Sequence, residues 1–426
     1  MAASQMSVYK LIRNLWPKKA IAEQIYQGSP FLGLVKKDTN FGEKIRYVSV
    51  GTGAPQGISG GYGVAKRNKT PGTADEFQVQ TTSYYGAFSI GGDLYRRYKY
   101  TGNTGLLVDP MGRDSKLLMR QMKNDLSSFV HGNGGGALGR IKSTSTLASQ
   151  VITLDKGADR RRIVKGMTLW ASTADGTSGS MLTGEVTVAS VGGTPDAPTV
   201  TINEATWSGA ISGLTTTSYL FRAGATGTGS GGSGILNGLD AWCPSHAGSP
   251  STFLGVTRSN APDQLAGNCL VATTKSPRQR IMEASIIQAD TGAGDGKRVY
   301  LMSTRNWGNL YNELASANAL VQTKAPSSPM GGLNVGVEYD AIRITGAGGP
   351  IDVVADPWAP DDVERLLNMD AWVLSSTGDL IHWDDDATPD NPMLEDAADA
   401  REVRAVGDMA LECWNPWANV RVAVTA

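Results

Sequence analysis

The chain has 426 residues, 39 Lys+Arg against 40 Asp+Glu, 40% hydrophobic residues and a mean hydropathy of −0.21. Its length exceeds the ~250–300 residues at which a single core stops growing, so two or three domains are expected, and a net charge of −1 excludes a partner chosen by bulk charge alone. Three cysteines without CxxC spacing, Cys243, Cys269 and Cys413, exclude a disulfide framework and a zinc site and suit folding in a reducing compartment, and with no apolar run of ~18 residues and no cleavage signature near the N-terminus, neither a membrane span nor a signal peptide is expected.

Residues 7–27 read as a short amphipathic helix, with Leu11, Ile12, Leu15 and Trp16 apolar, broken at Pro17 and resumed at Ile21 and Ile25. SPFLGLVKK then reads as an extended arm. GEKIRYVSV (42–50) alternates as a strand, and EFQVQTTSYYGAFSI (76–90) is a second strand-rich run. Between them lies GTGAPQGISGGYGVAKRNKTPGTAD (51–75), with seven Gly and two Pro. The unit reads as a long two-stranded flap whose end either is disordered or needs another surface to lie on.

DPMGRDSKLLMRQMKNDLSSFVHG (109–132) is the strongest helical signal. Asp109 is placed as N-cap, Pro110 at the first position, and Gly132 as the stop. Leu118, Met122, Leu126 and Phe129 or Val130 make one apolar stripe on a rod of roughly 35 Å. GNGGG (132–136) reads as a hinge. Residues 143–222 read as all-β, with VITL, GMTLWAS, GEVTVASV, PTVTIN and SYLFRA as short strands of a small barrel or sandwich, closed by the linker GATGTGSGGSG (224–234).

GILNGLDAW (234–242) resumes an ordered core. From residue 276 the pattern is α+β: SPRQRIMEASIIQAD and STRNWGNLYNELASANAL as helices, KRVYLMS, AIRITG and IDVVAD as strands, and DDVERLL as a short helix capped by Asp361. AWVLSS, LIHW, AREVRAVGDMALECW and NVRVAV complete a β-rich end.

Charge is segregated along the chain: residues 1–142 hold 20 Lys+Arg and 9 Asp+Glu (net +11), whereas 351–408 hold 3 and 16 (net −13). Either the two regions meet within one copy, or the basic arm of one copy lies on the acidic region of another. Nucleic acid on the basic face is a third reading, without the aromatic–basic interleaving of base readout.

No credible catalytic, cofactor or metal site is read. GTGSGG (227–232) matches GxGxxG by letter but lies in a Gly/Ser linker, and no P-loop or GxSxG elbow occurs. His382 with Asp384, Asp385 and Asp386 lacks ligand spacing and reads as a solvated acidic loop. Cys243 and His246 are the one nucleophile–base pair worth naming, and read as a structural cysteine beside a turn histidine. Six of ten Trp (307, 358, 372, 383, 414, 417) fall in the C-terminal third and read as core or interface anchors. A carbohydrate-binding role through Trp170 or Trp207 is the alternative from another functional class.

The order of basic arm with SPFLGLVKK, Gly-rich flap, RYKYTGNTG, long rod, return through GILNGLDAW, VYLMSTRNWGNLYNEL and DVVADPWAP resembles the major capsid protein of tailed bacteriophages, a shell fold shared with encapsulins. The resemblance covers about 1–140 and 234–426. It implies an α+β fold with an N-terminal arm (1–40), an extended β-hairpin loop (41–95), a peripheral domain (96–142) with a spine helix (109–131), an inserted all-β domain (143–228), a return to the core (229–275), an axial domain (276–380) and C-terminal strands (381–426). It implies a non-enzymatic subunit that self-assembles as hexamers and pentamers into an icosahedral shell in the host cytoplasm, enclosing double-stranded DNA, or cargo in an encapsulin-like shell. A separate scaffolding protein and a decoration protein are expected partners, and no membrane. The loop-tip contacts are expected at Pro55, Tyr62, Lys66, Arg67 and Lys69, and the helix core at Leu118, Met122, Leu126 and Phe129. Some members crosslink a loop lysine to a neighbour's asparagine; Lys66 and Lys69 occupy the flap tip, where exposed lysines are common, and such a link is not expected here.

Overall fold

Three hydrophobic cores organise the chain in a computed structural model, which describes residues 29–93, 96, 105–224, 236–246, 251–292, 296–316, 322–325, 339–384, 387, 393–395 and 399–424. The architecture is mixed α+β. The expected helix at 7–27, the linker 225–234, and Asp385 and Asp386 lie outside the described residues.

The first core gathers Phe31, Val48, Phe77, Met122, Leu126, Trp242, Trp372 and Leu411 under a six-stranded sheet. The strand Ala400–Cys413 is its axis. It pairs antiparallel with Trp372–Ser376 on one side and with Thr82–Gly91 on the other. Lys36–Asp38 adds in parallel beside Trp372–Ser376. SPFLGL is not an extended arm: Pro30–Leu34 forms one helical turn, buried throughout. Pro30 starts it, and Phe31, Leu32 and Leu34 are too apolar to remain outside when Trp372 offers an edge-on ring 5.9 Å from Phe31.

The long helix spans Gly105–Phe129. It starts a turn before Asp109, so Pro110 lies in the second turn and Asp109 is no cap. It ends in tighter i→i+3 bonds, His131 N–H to Ser128 O at 3.2 Å and Gly132 N–H to Phe129 O at 2.9 Å. Met122 and Leu126 are buried, and Leu118 and Phe129 pack on the same core. The helix crosses the strand Thr82–Gly91 at Gly86, where a Cβ would come within 2.6 Å of Met122 Sδ. A larger residue there would force the Met122 and Leu118 side chains to shift.

A second, separate core fills a six-stranded sheet ordered Gly139–Arg140, Tyr219–Arg222, Thr168–Ser172, Val186–Thr194, Ala197–Ile202, Val151–Thr153. A bridge between Ile141 and Leu154, with Asp155 N–H to Arg140 O at 2.8 Å, joins the two outermost strands. The sheet therefore closes on itself around Ile152, Leu169, Val186, Val200, Trp207 and Leu220, removing its edges. Entry and exit strands are neighbours, because Arg140 pairs with Tyr219.

The third core lies under a seven-stranded mixed sheet ordered Asn268–Val271, Val420–Ala423, Val363–Asn368, Arg298–Met302, Gly349–Ala355, Tyr339–Gly346, Gln322–Ala325. Two helices, Pro277–Asp290 and Thr304–Ser316, lie against it, the first opened by a Ser276–Gln279 capping box. DDVERLL is a strand, not the expected helix. All six residues of Val363–Asn368 are buried, and the strand is paired on both sides, to Arg298–Met302 and Val420–Ala423. Burial between two neighbours overrides its helical lettering.

Candidate assembly surface

The flap is built from the strands Arg46–Gly53 and Thr73–Val79. Their alternation puts Val48, Val50, Phe77 and Val79 into the first core, where Phe77 meets Trp242 at 5.1 Å and Phe253 at 6.1 Å. Gln78 N–H bonds to Leu254 O at 2.8 Å. Arg46 pins the root: it reaches Asp38 at 2.9 Å, Glu412 and Ser375 at 3.2 Å each, and lies over the Phe41 ring. The Asn40 N–H, then Arg46, holds the Asp38 carboxyl below its ordinary range. Burial pushes Glu412 up, against Ser375 and Arg46.

Beyond Gly53 the anchoring stops. Residues 54–72 make contacts within the flap, such as Gln56 N–H to Thr70 Oγ1 at 3.0 Å and Arg67 Nε–H to the Gly63 carbonyl at 3.3 Å. The tip carries a short helix, Tyr62–Arg67, with no buried residue. The tip is not wholly polar: Ile58 is 86% and Tyr62 82% exposed, and Val64 is also exposed. Pro55, Tyr62, Lys66, Arg67 and Lys69, all exposed, come together on this one structure. Among the described residues none of the three cations has an ion-pair partner. Ile58 and Val64 are the contributors that sequence reasoning missed; both were visible as apolar letters in a Gly-rich loop.

Five of the sixteen carboxylates in 351–408 are ion-paired with Lys or Arg within the chain. Asp352 pairs with Arg343 at 2.8 Å, Asp362 with Lys156 at 2.7 Å, Glu364 with Arg280 at 2.7 Å and Asp399 with Arg96 at 2.6 Å, while Glu402 pairs with Arg404. Contact within one copy accounts for these carboxylates, which removes them as a docking ground for another copy's basic arm.

His131, just past the end of the long helix, is held in a buried polar network. Its Nε2 lies 3.1 Å from Asp356 Oδ2 and its Nδ1 3.3 Å from Arg365, with both side chains of the His–Asp pair fully buried. Ser29 Oγ donates to Asp356 at 3.0 Å and the Trp358 N–H at 2.9 Å. Burial alone would raise Asp356, but His131 and these donors hold it below the ordinary carboxylate range. Arg365 also donates to Asp240, so one buried network ties the end of the long helix to the seven-stranded sheet.

The closed β unit meets the body through polar groups. Lys156 pairs with Asp362, Arg305 with Asp196, and Arg161 donates to the Pro357 carbonyl. Arg222 donates to Asp125 at 2.7 Å and to Tyr84 Oη at 3.3 Å, joining exit strand, long helix and the strand Thr82–Gly91. A cleft of about 280 Å³ opens along this seam, lined by His131, Arg140, Asp155, Lys156, Asp159 and Tyr219 among others. Its charged side chains pair with one another or with the body and do not converge on an empty point.

The enzymatic candidates separate. Cys243 is fully buried and its thiol is pushed up to about 12 by burial, while His246 is exposed. A buried neutral thiol is a poor nucleophile. His382 Nδ1 donates to the Asp379 carbonyl at 3.1 Å, and no group of three metal-ligating side chains occurs among the described residues. Trp207 is fully buried in the β unit and its Nε1 donates to Gln150 O, so it cannot stack on a sugar; Trp170 is half-buried with its Nε1 on Glu185. No described helix is long and apolar enough to cross a membrane.

No protein-family model matches the chain, and no curated protein matches it. Among solved structures it is similar to the Cyanophage A-1(L) capsid asymmetric unit, with 12% identity and a TM-score of 0.48 over 95% of this chain and 92% of that one. It is also similar to the capsid of the native GTA particle (7% identity, TM-score 0.43, 95% and 91%) and to the holo-SrpI encapsulin complex from Synechococcus elongatus PCC 7942 (8%, 0.39, 97% and 89%).

Proposed function

We propose that this chain is a structural subunit of a closed icosahedral shell of the tailed-phage major capsid type, and that its activity is self-assembly. The observation that carries the reading is the flap: a root locked into the main core and a tip that turns Ile58, Tyr62 and Val64 outward, ringed by Lys66, Arg67 and Lys69. Leaving such side chains in water forfeits ~1.5–3 kcal/mol each relative to burial. A sister subunit offers that burial, and closed symmetry multiplies one modest contact over the shell. In this reading residues 41–95 are the loop that overlaps a neighbour, 96–142 the peripheral domain, 143–228 an inserted domain, and 276–380 the axial domain at capsomer centres. The shell forms in the host cytoplasm with a separate scaffold, takes a decoration protein outside, and holds double-stranded DNA inside.

The test replaces 54–72 by a short turn. The shortened chain stays folded and soluble but fails to form shells in electron micrographs. Shells of equal yield and heat resistance without the tip would remove the basis of the proposal.

A further inference from the structure

One side of the long helix carries Arg113, Lys116 and Arg120, all exposed, and Lys123, half-buried. At 100° per residue these four fall within an arc of roughly 80°, with Met122 and Leu126 further round the helix and buried Met119 about 40° beyond Lys123, and the row extends about 15 Å along the axis. Arg113 has a partner in its sequence neighbour Asp114 at 3.2 Å. Lys116, Arg120 and Lys123 have no ion-pair partner among the described residues. The other described acidic group of the helix, Asp125, points inward and is held by Arg222, Tyr84 and Gln121.

This arrangement works against the helix that bears it. Lys116–Arg120 and Arg120–Lys123 are like charges at i,i+4 and i,i+3, spacings at which repulsion costs a few tenths of a kcal/mol per pair. Burial, then the charge of Arg120, lowers the Lys123 ammonium. A solvated helix face ordinarily mixes signs at these spacings; among the described side chains this one has three unpaired cations and a single exposed flanking apolar residue, Leu117. A row of one sign with almost no apolar centre lacks the anchor residues of a protein interface, and it fits a partner whose charge is itself a regular row.

We propose that the stripe Arg113–Lys116–Arg120–Lys123 binds the phosphate backbone of double-stranded DNA, without sequence preference. The source of that DNA rests on the shell reading; the contact itself does not need assembly. Each phosphate neutralised releases condensed counterions and adds about −0.9 to the slope of log K against log salt.

The experiment uses the full, unassembled chain and two fluorescent 30-base-pair duplexes of unrelated sequence, read by anisotropy across salt. Lys116→Gln/Arg120→Gln/Lys123→Gln lowers the steepness of the slope by about 3 on both duplexes, and its melting temperature does not fall, since repulsion is removed. Arg120→Lys keeps the wild-type slope. An unchanged slope in the triple variant overturns the proposal, as does a preference for one duplex. Loss of self-association with DNA binding intact also overturns it, and assigns the stripe to an acidic face of a second copy. Failure of the wild-type chain to form shells would count against the proposed function and leave this measurement standing.

Discussion

Ile58→Ser/Tyr62→Ser separates a flap that serves its own fold from one that serves a neighbour. The side chains are 86% and 82% exposed, so the isolated subunit has almost nothing to lose: the expected cost is within about 0.5 kcal/mol, the range of ordinary surface changes. If the tip is buried on a sister copy, each lost side chain removes part of ~1.5–3 kcal/mol, and the pair removes about 2–4 kcal/mol per contact. At 1.4 kcal/mol per decade, the concentration at which shells appear rises about 30- to 1000-fold. Light scattering against protein concentration gives the threshold, and a thermal melt of the dilute subunit gives the control. A threshold unchanged within a factor of three refutes the reasoning. So does a melting temperature several degrees lower, which would place these side chains against their own body.

Glu364 is fully buried and accepts from Arg280 at 2.9 and 2.7 Å and from Tyr300 at 2.7 Å, so Glu364→Ala leaves a buried guanidinium and a phenol unpaired. It is expected to cost about 3–5 kcal/mol in urea unfolding, with Glu364→Leu/Arg280→Met costing less than the single change. Asp159 is pushed up to about 6 by burial, opposed by Arg162 and Lys156, with Asp362 adding to the rise. A raised folded-state value gives stability that is full below about pH 4 and lost as pH rises through 6, at most about 3 kcal/mol for the β unit. Asp159→Asn should flatten that slope in melts between pH 4 and 8. Lys156→Glu and Asp362→Lys each break a partly exposed pair and should speed proteolysis of the β unit's junctions modestly, by less than ~1 kcal/mol of protection, while the double swap restores the wild-type rate.

The elements legible in the sequence were those whose burial follows one regular period. Met122 and Leu126 repeat along one helical face, and Val48 and Val50 alternate along a strand, so both buried surfaces could be read directly. DDVERLL failed because a strand buried on both faces loses its alternation, and Glu364 and Arg365, polar letters in that run, are satisfied by Arg280 and by His131 and Asp240 far away in sequence. SPFLGL failed because one buried turn is too short to show a period. The His131–Asp356 pair joins residues 225 positions apart, which no local spacing encodes. At the candidate site the flap and its cations were legible from glycine content and charge; the outward helix at Tyr62–Arg67 was not, because Gly61 and Gly63 mask its start.

Self-assembly through the flap is tested most directly by imaging the purified full chain in negative stain, concentrated at low and at high salt. Closed particles of one size, built from many copies, are the predicted result. A field of single compact molecules under every condition, with the 54–72 segment protected from protease in those monomers, would contradict it.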